Sequence, residues 1–204
     1  MTSRAGRQRR IVWDLDDTLN ELMRGWWKWH RARQSPAQGC GSFSDLVENP
    51  PHNLLGLTLE EYQKSLDEFR LSQEARDLVP IPEVLAWFRV HGFDFEHHLL
   101  TARPVATVPP AAEWVFRHFG RWIRHFHFVP SFRAEAALPD PPKTKRDVIR
   151  EIGDVDFVVD DSAETLDAAR DVARTCLLAP QPWNRGQGTI ADILPALTSP
   201  APKR

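Results

Sequence analysis

The stretch Ile11-Val12-Trp13-Asp14-Leu15-Asp16-Asp17-Thr18-Leu19 decides how this chain is read. Three β-prone apolar residues run straight into a cluster of carboxylates, the pattern of a buried central strand that delivers polar groups at its C-terminal end. Like charges crowded into one turn repel, and a hard divalent cation that prefers oxygen ligands offsets that repulsion. One carboxylate can also attack phosphorus to give an acyl phosphate that water hydrolyses. A second, two residues on, can protonate the leaving alkoxide and later deprotonate the water. Read without chemistry, the same residues form an acidic turn that caps the next helix.

Three later segments resemble the first: Phe95 to Leu100 ends at Thr101, Phe126 to Val129 at Pro130, and Val155 to Val159 at Asp160-Asp161. Between them, apolar residues at three- and four-residue intervals predict helices over Ile81 to His91, Pro110 to Phe119, Lys145 to Ile152 and Glu164 to Arg174. Alternating strands and helices predict a three-layer α/β/α, Rossmann-like core with a mostly parallel sheet, whose ligands bind at the carboxyl ends of the strands. Thr101, followed by Ala102, stands where a hydroxyl and backbone N–H groups can hold phosphate oxygens, although a Thr N-cap explains it equally. Lys143 and Lys145 both precede the helix carrying Val148-Ile149, and either can neutralise a transferring phosphoryl group.

Between Asn20 and Val79 the βα rhythm fails. A Trp-rich helical stretch from Glu21 to Arg33 is followed by a turn region and by a second helix opening at Thr58-Leu59-Glu60-Glu61, where Thr58 and Glu61 have capping-box spacing. Residues 20–79 therefore read as a small helical cap inserted after the first strand. Residues 11–19 and 80–197 read as the core domain, 1–10 as a basic leader and 198–204 as a disordered tail. Trp26, Trp27 and Trp29, with His30 and Arg33, directly follow the acidic loop. They can stack on a base and meet a phosphate, or simply pack, since Trp26 and Trp29 share a helix face. The pairs His97-His98 and His125-His127 lack ligand spacing and read as structural or surface histidines.

Composition narrows the choice further. At 204 residues and 42% hydrophobic content the chain can bury a core of one domain with a modest insertion. A net charge of −2 argues against nucleic acid as partner and favours a small phosphorylated substrate held at a local site. No apolar run is long enough to span a bilayer, so no membrane partner is expected. Cys40 and Cys176, far apart and without C-x-x-C spacing, read as free thiols of a cytoplasmic protein.

Taken together, Asp14-Leu15-Asp16-Asp17-Thr18, Thr101, Lys145 and Asp160-Asp161 resemble, in order, the four motifs of the haloacid dehalogenase-like hydrolase superfamily. The resemblance implies a capped phosphatase with Asp14 as nucleophile and Asp16 as general acid/base. It also implies Mg²⁺ held by Asp14, Asp160 and the backbone carbonyl of Asp16, with Asp161 supporting it. Lys145 is favoured over Lys143 because the family lysine stands just before a helix with a Val-Leu-like pair three residues on. The acid at position 16 separates phosphatases from dehalogenase and phosphonatase relatives that lack it. Thr101-Ala102-Arg103-Pro104 and Gln181-Pro182-Trp183-Asn184-Arg185 are similar to the bacterial relatives of 5'(3')-deoxyribonucleotidases, which implies a nucleoside 5'-monophosphate as substrate. The alternatives are a phosphatase of sugar phosphates or other small metabolites, or a phosphate-binding regulatory module without turnover.

Overall fold

The computed structural model describes residues 7–33, 41–131, 143–184 and 186–199; Met1 to Gly6 of the leader, Cys40, Arg185 and residues 200–204 lie outside that description. Its centre is a five-stranded sheet of β1 (Arg9–Trp13), β2 (Phe95–Arg103), β3 (Ile123–Pro130), β4 (Val155–Asp160) and β5 (Ala173–Leu178), ordered β3-β2-β1-β4-β5 with every pair parallel. The acidic cluster thus leaves the middle strand, flanked by the ends of β2 and β4.

Helices in chain order are α1 (Leu22–Arg33), α2 (Leu59–Leu71), α3 (Gln73–Arg76), α4 (Pro82–His91), α5 (Val108–Phe119), α6 (Lys145–Ile152), α7 (Ala163–Ala169) and α8 (Ile190–Thr198). Alternate strand residues feed two cores, because side chains point to opposite faces with a period of two. Ile11, Trp13, Leu99 and Val159 pack on one face against Trp87 and Phe88 of α4, Val115 and Phe119 of α5 and Leu194 of α8. Val12, Leu100 and Val158 pack on the other against Val148 and Ile149 of α6 and Leu166 of α7. The result is the three-layer arrangement expected from the alternation.

Three sequence expectations need correction. The first strand begins at Arg9, inside the expected leader. The helix expected over Glu164 to Arg174 stops at Ala169, and Ala173 opens β5, a half-buried edge strand without the dense apolar run of a central one. Thr198, placed in the expected tail, closes α8, a helix whose internal Pro195 breaks the usual helical pattern.

The segment after β1 has a core of its own, built from Leu22, Met23, Trp26, Trp27, Phe43, Leu46, Leu55, Tyr62, Leu66 and Phe69. Its two connections run side by side: Asn20 bridges Pro80, and Ile81 N–H donates to Leu19 C=O at 2.9 Å. Helix α2 opens with the expected capping box, Thr58 accepting from the Glu61 N–H while Glu61 accepts from that of Thr58.

Candidate active site

The ends of β1, β2 and β4 open into one cavity of about 770 Å³, lined by Asp14, Asp16, Thr101, Ala102, Lys145, Asp160 and Asp161 from the core and by Leu22, Met23, Tyr62, Leu66 and Arg70 from the cap. Asp14 N–H donates to Val159 C=O at 2.9 Å, which extends the β1–β4 ladder by one residue and sets Asp14 beside Asp160. Thr101 is buried within β2. Lys145 is the first residue of α6, whose N-cap Thr144 accepts from the Asp147 N–H.

The Lys145 ammonium lies 2.7 Å from Asp14 Oδ1 and 2.7 Å from Asp160 Oδ2. Lys143 turns outward to pair with Glu151, so the structure brings only Lys145 of the two to the carboxylates. Burial alone would lower the Lys145 pKa, but Asp14 and Asp160 outweigh it and raise it. One ammonium does not neutralise this corner. Burial pushes Asp14 well above the usual carboxylate range; Lys145 opposes that shift, and Asp160, Asp161 and Asp16 add to it. Asp161 is pushed up to about 7 by burial and by Asp160, against Lys145 and a hydrogen bond from the Trp183 indole. Carboxylate oxygens of Asp14, Asp160 and Asp161 lie within 4.8 Å of one another. An all-oxygen donor set with this surplus of negative charge fits a hard divalent cation such as Mg²⁺.

Asp16 has a different setting. Arg103 Nη2 donates to both of its oxygens, at 2.6 and 2.7 Å, and Arg70 Nη2 to one, at 3.1 Å. Burial would raise this carboxyl, but Arg103 and then Arg70 hold it below the usual range. Asp17 takes the helix-capping role open to the acidic turn: its carboxylate accepts from the Met23 N–H in the first turn of α1, at 3.0 Å. Its φ of 58° places it in the left-handed region, which Asp tolerates better than most residues.

The tryptophans of α1 lie elsewhere. Trp26 is fully buried inside the cap, stacked on His30 and bonded through its indole N–H to Ser65; Trp27 is buried in the same cluster. Trp29 packs on Phe69, and the Arg33 guanidinium sits over its ring. None of Trp26, Trp27, Trp29 or Arg33 lines the cavity, because the α1 face that reaches it starts at Leu22 and Met23. The sequence reading gives Arg70 no place, and names Arg103 and the segment after β5 only as carriers of a family resemblance, not as site residues. That segment ties the site together: Gln181 donates to Asp17 C=O, Trp183 to Asp161 Oδ2 and Asn184 to Asp161 C=O. Arg103 had a readable signal, since it stands two residues after Thr101 and so on the same face of β2. The histidines are partnered, His97 by the Trp13 indole and Gly92 C=O, His98 by Glu96 and His127.

No family model matches the sequence, and no curated protein matches it. Solved structures do match along nearly the whole chain. A haloacid dehalogenase-like family hydrolase from Xanthomonas campestris has a TM-score of 0.54 at 11% identity, with 93% of this chain and 94% of that chain covered. An L-2-haloacid dehalogenase has a TM-score of 0.52 at 16% identity, covering 94% and 100%. A HAD-hydrolase from Bacillus subtilis, solved with magnesium bound, has a TM-score of 0.52 at 10% identity, covering 84% and 86%. The chain therefore has the haloacid dehalogenase-like hydrolase fold.

Proposed function

We propose that this protein is a magnesium-dependent phosphomonoester hydrolase that acts on a small phosphorylated metabolite through an aspartyl-phosphate on Asp14. The observation that carries the reading is the position of Lys145 Nζ, 2.7 Å from both Asp14 and Asp160 in a cavity that also holds Asp16 and Thr101. A cation between a nucleophilic carboxylate and a second acid is placed to receive charge that develops on phosphoryl oxygens.

In this reading an Asp14 oxygen attacks phosphorus in line with the ester oxygen, the P–O ester bond breaks, and the departing oxygen takes a proton from Asp16. Water then attacks phosphorus, gives its proton to Asp16, and Asp14 departs as a carboxylate. Thr101 and the adjacent backbone at Ala102 hold phosphoryl oxygens. Mg²⁺, when bound by Asp14, Asp160 and the Asp16 carbonyl with Asp161 alongside, offsets phosphoryl charge. The arginines on Asp16 favour its ionised, base form, so the proton-donating form requires that side chain to leave them. The dehalogenase among the structural neighbours represents the other chemistry of the fold; an acid/base at position 16 favours phosphoryl transfer over it.

Nucleoside 5'-monophosphates remain one candidate class and sugar phosphates another; of the two roles open to the α1 tryptophans, Trp26 and Trp27 take packing in the cap's own core, with Trp29 against it. No helix among the described residues is long and apolar enough to cross a membrane. The free thiol Cys176 suits a reducing cytoplasm. The test is phosphate release from a panel of nucleotides and sugar phosphates, with and without Mg²⁺. Mg²⁺-dependent release that Asp14→Asn abolishes supports the reading, and release that survives in the variant contradicts it.

A further inference from the structure

A second cluster of metal-ligating side chains lies on β2 and the edge strand β3, away from the cavity at the strand ends. Glu96 and His98 of β2 share one face of the sheet, since side chains alternate with a period of two. His97 points to the opposite face, where it meets the Trp13 indole. The register between the strands slips at this point: Ile123 stands opposite His97, but His125 and not Arg124 stands opposite His98. One extra residue on β3 therefore turns His125 to the face of Glu96 and His98, and His127 follows it there; without the slip both would face the other way. The His98 and His125 rings stack with centroids 4.3 Å apart, and His98 Nε2 lies 3.0 Å from Glu96 Oε1. One oxygen of Glu96 and one nitrogen each of His98 and His125 fall within 4.8 Å of one another.

Two imidazoles and a carboxylate are a donor set for Zn²⁺, with water in the fourth position, and imidazole nitrogen selects such an ion over Mg²⁺. A tetrahedral ion with bonds of about 2.0–2.1 Å holds its donors about 3.3 Å apart. The Glu96–His98 pair already stands close to that spacing, so only His125 has to turn its ring; it is exposed and makes no hydrogen bond among the described residues. The supporting groups are in place as well. Arg10 Nε donates to Glu96 Oε2 at 2.9 Å, which leaves Oε1 for an ion, and Arg10 is itself fixed by the Ile152 and Gly153 carbonyls. His127 Nε2 lies 3.1 Å from His98 Nδ1 and supplies the partner that a metal-bound imidazole has on its other nitrogen. We infer that Glu96, His98 and His125 form a binding site for one Zn²⁺ that clamps the edge strand β3 to β2. His98 binds the ion through Nε2; its proton moves to Nδ1 and is donated to His127 Nε2, whose own proton moves to Nδ1, so these two rings release none.

The inference is independent of the reaction proposed at the strand ends. Its test is calorimetric titration of metal-free protein with Zn²⁺, with Mg²⁺ in excess to occupy the corner of Asp14, Asp160 and Asp161. The wild type should take up Zn²⁺ saturably, at one ion per chain. His125→Ala, at an exposed position whose loss leaves the fold intact, and Glu96→Gln should each weaken that uptake by about tenfold to a hundredfold or more, whereas Asp160→Asn should leave it unchanged. Zn²⁺ should also raise the melting temperature of the wild type and not that of His125→Ala. Absence of saturable uptake would overturn the inference and reduce the cluster to a chain of hydrogen bonds from His127 through His98 to Glu96. Uptake that survives in His125→Ala and is lost in Asp160→Asn would overturn it too, because the ion would then belong to the strand ends.

Discussion

The core and the cap meet at one cavity but hold their aromatic and charged residues for opposite purposes. At the strand ends, Asp14, Asp160, Asp161 and Lys145 are buried with imperfectly balanced charge, an arrangement that costs stability and is concentrated at functional sites. In the cap, Trp26, Trp27, Tyr62 and Phe69 are buried with ordinary apolar partners and contribute packing. Burial of a residue type therefore does not say which job it does; the surplus of charge around it does.

The largest effect that can break this contrast lies at Lys145. Lys145→Met leaves the buried carboxylates without their ammonium, and phosphate release should fall about a thousandfold or more, whereas Lys143→Ala should keep wild-type rates. Equal losses in the two variants would remove the distinction drawn between the lysines. In the cap, Trp26→Ala deletes a fully buried ring and its bond to Ser65, at a cost of about 3–5 kcal/mol. Hydrogen exchange should report that loss in α1 and α2, with β1 and β4 protected as before; loosening of the sheet to the same degree would mean that cap and core unfold as one unit.

A pH dependence sharpens the core side of the comparison. The Trp13 indole N–H donates to His97 Nδ1, and the Gly92 carbonyl accepts from Nε2, so the buried ring is neutral with its proton on Nε2. Burial lowers its pKa to about 4, from 6.5. The unfolded chain protonates first, so His97 contributes stability above pH 6.5 that is lost as the pH falls toward 4, roughly 3 kcal/mol in all. Asp161, raised to about 7, works in the opposite direction over the same range, because the folded state takes up its proton first. The measurement is thus a difference: urea midpoints from pH 7 to pH 4 for wild type and for His97→Gln, with wild type losing more stability on acidification. Parallel curves would contradict the assignment.

The smallest effect tests the segment after β5. Trp183→Phe removes the indole N–H from Asp161 but keeps an aromatic ring facing Phe43 of the cap. The apparent Mg²⁺ affinity should weaken by about tenfold, as is usual for groups that hold a ligand from behind, with the fold intact. An unchanged affinity would reduce Trp183 to a packing residue.

What was legible in the sequence follows the same contrast. Central strands β1 and β4 announce themselves because both faces are covered and the apolar run ends abruptly in acids, and Lys145 is readable through the helix it opens, with Val148-Ile149 three residues on. Edge strand β5 is half-buried, so its residues blend into the preceding helical pattern, and Pro195 disguises α8. Arg70 carries no local signal: 54 residues separate it from Asp16, and only the packing of α2 over the strand ends brings them together. The α1 tryptophans are open to stacking or packing in the sequence, and a helix directly after the acidic loop turns only its first residues toward the cavity, which leaves them to pack.

The claim on which the rest depends is that Asp14 attacks phosphorus and that water later attacks that same phosphorus. A single turnover of p-nitrophenyl phosphate with Mg²⁺ in heavy-oxygen water, quenched in acid and read by mass spectrometry, addresses it directly. The account predicts a phosphorylated peptide containing Asp14 during turnover, heavy oxygen in the released phosphate and none in the Asp14 carboxylate. Heavy oxygen in Asp14, the mark of water attacking an acyl carbon, or phosphate release with no phosphoryl group ever on Asp14, would contradict it.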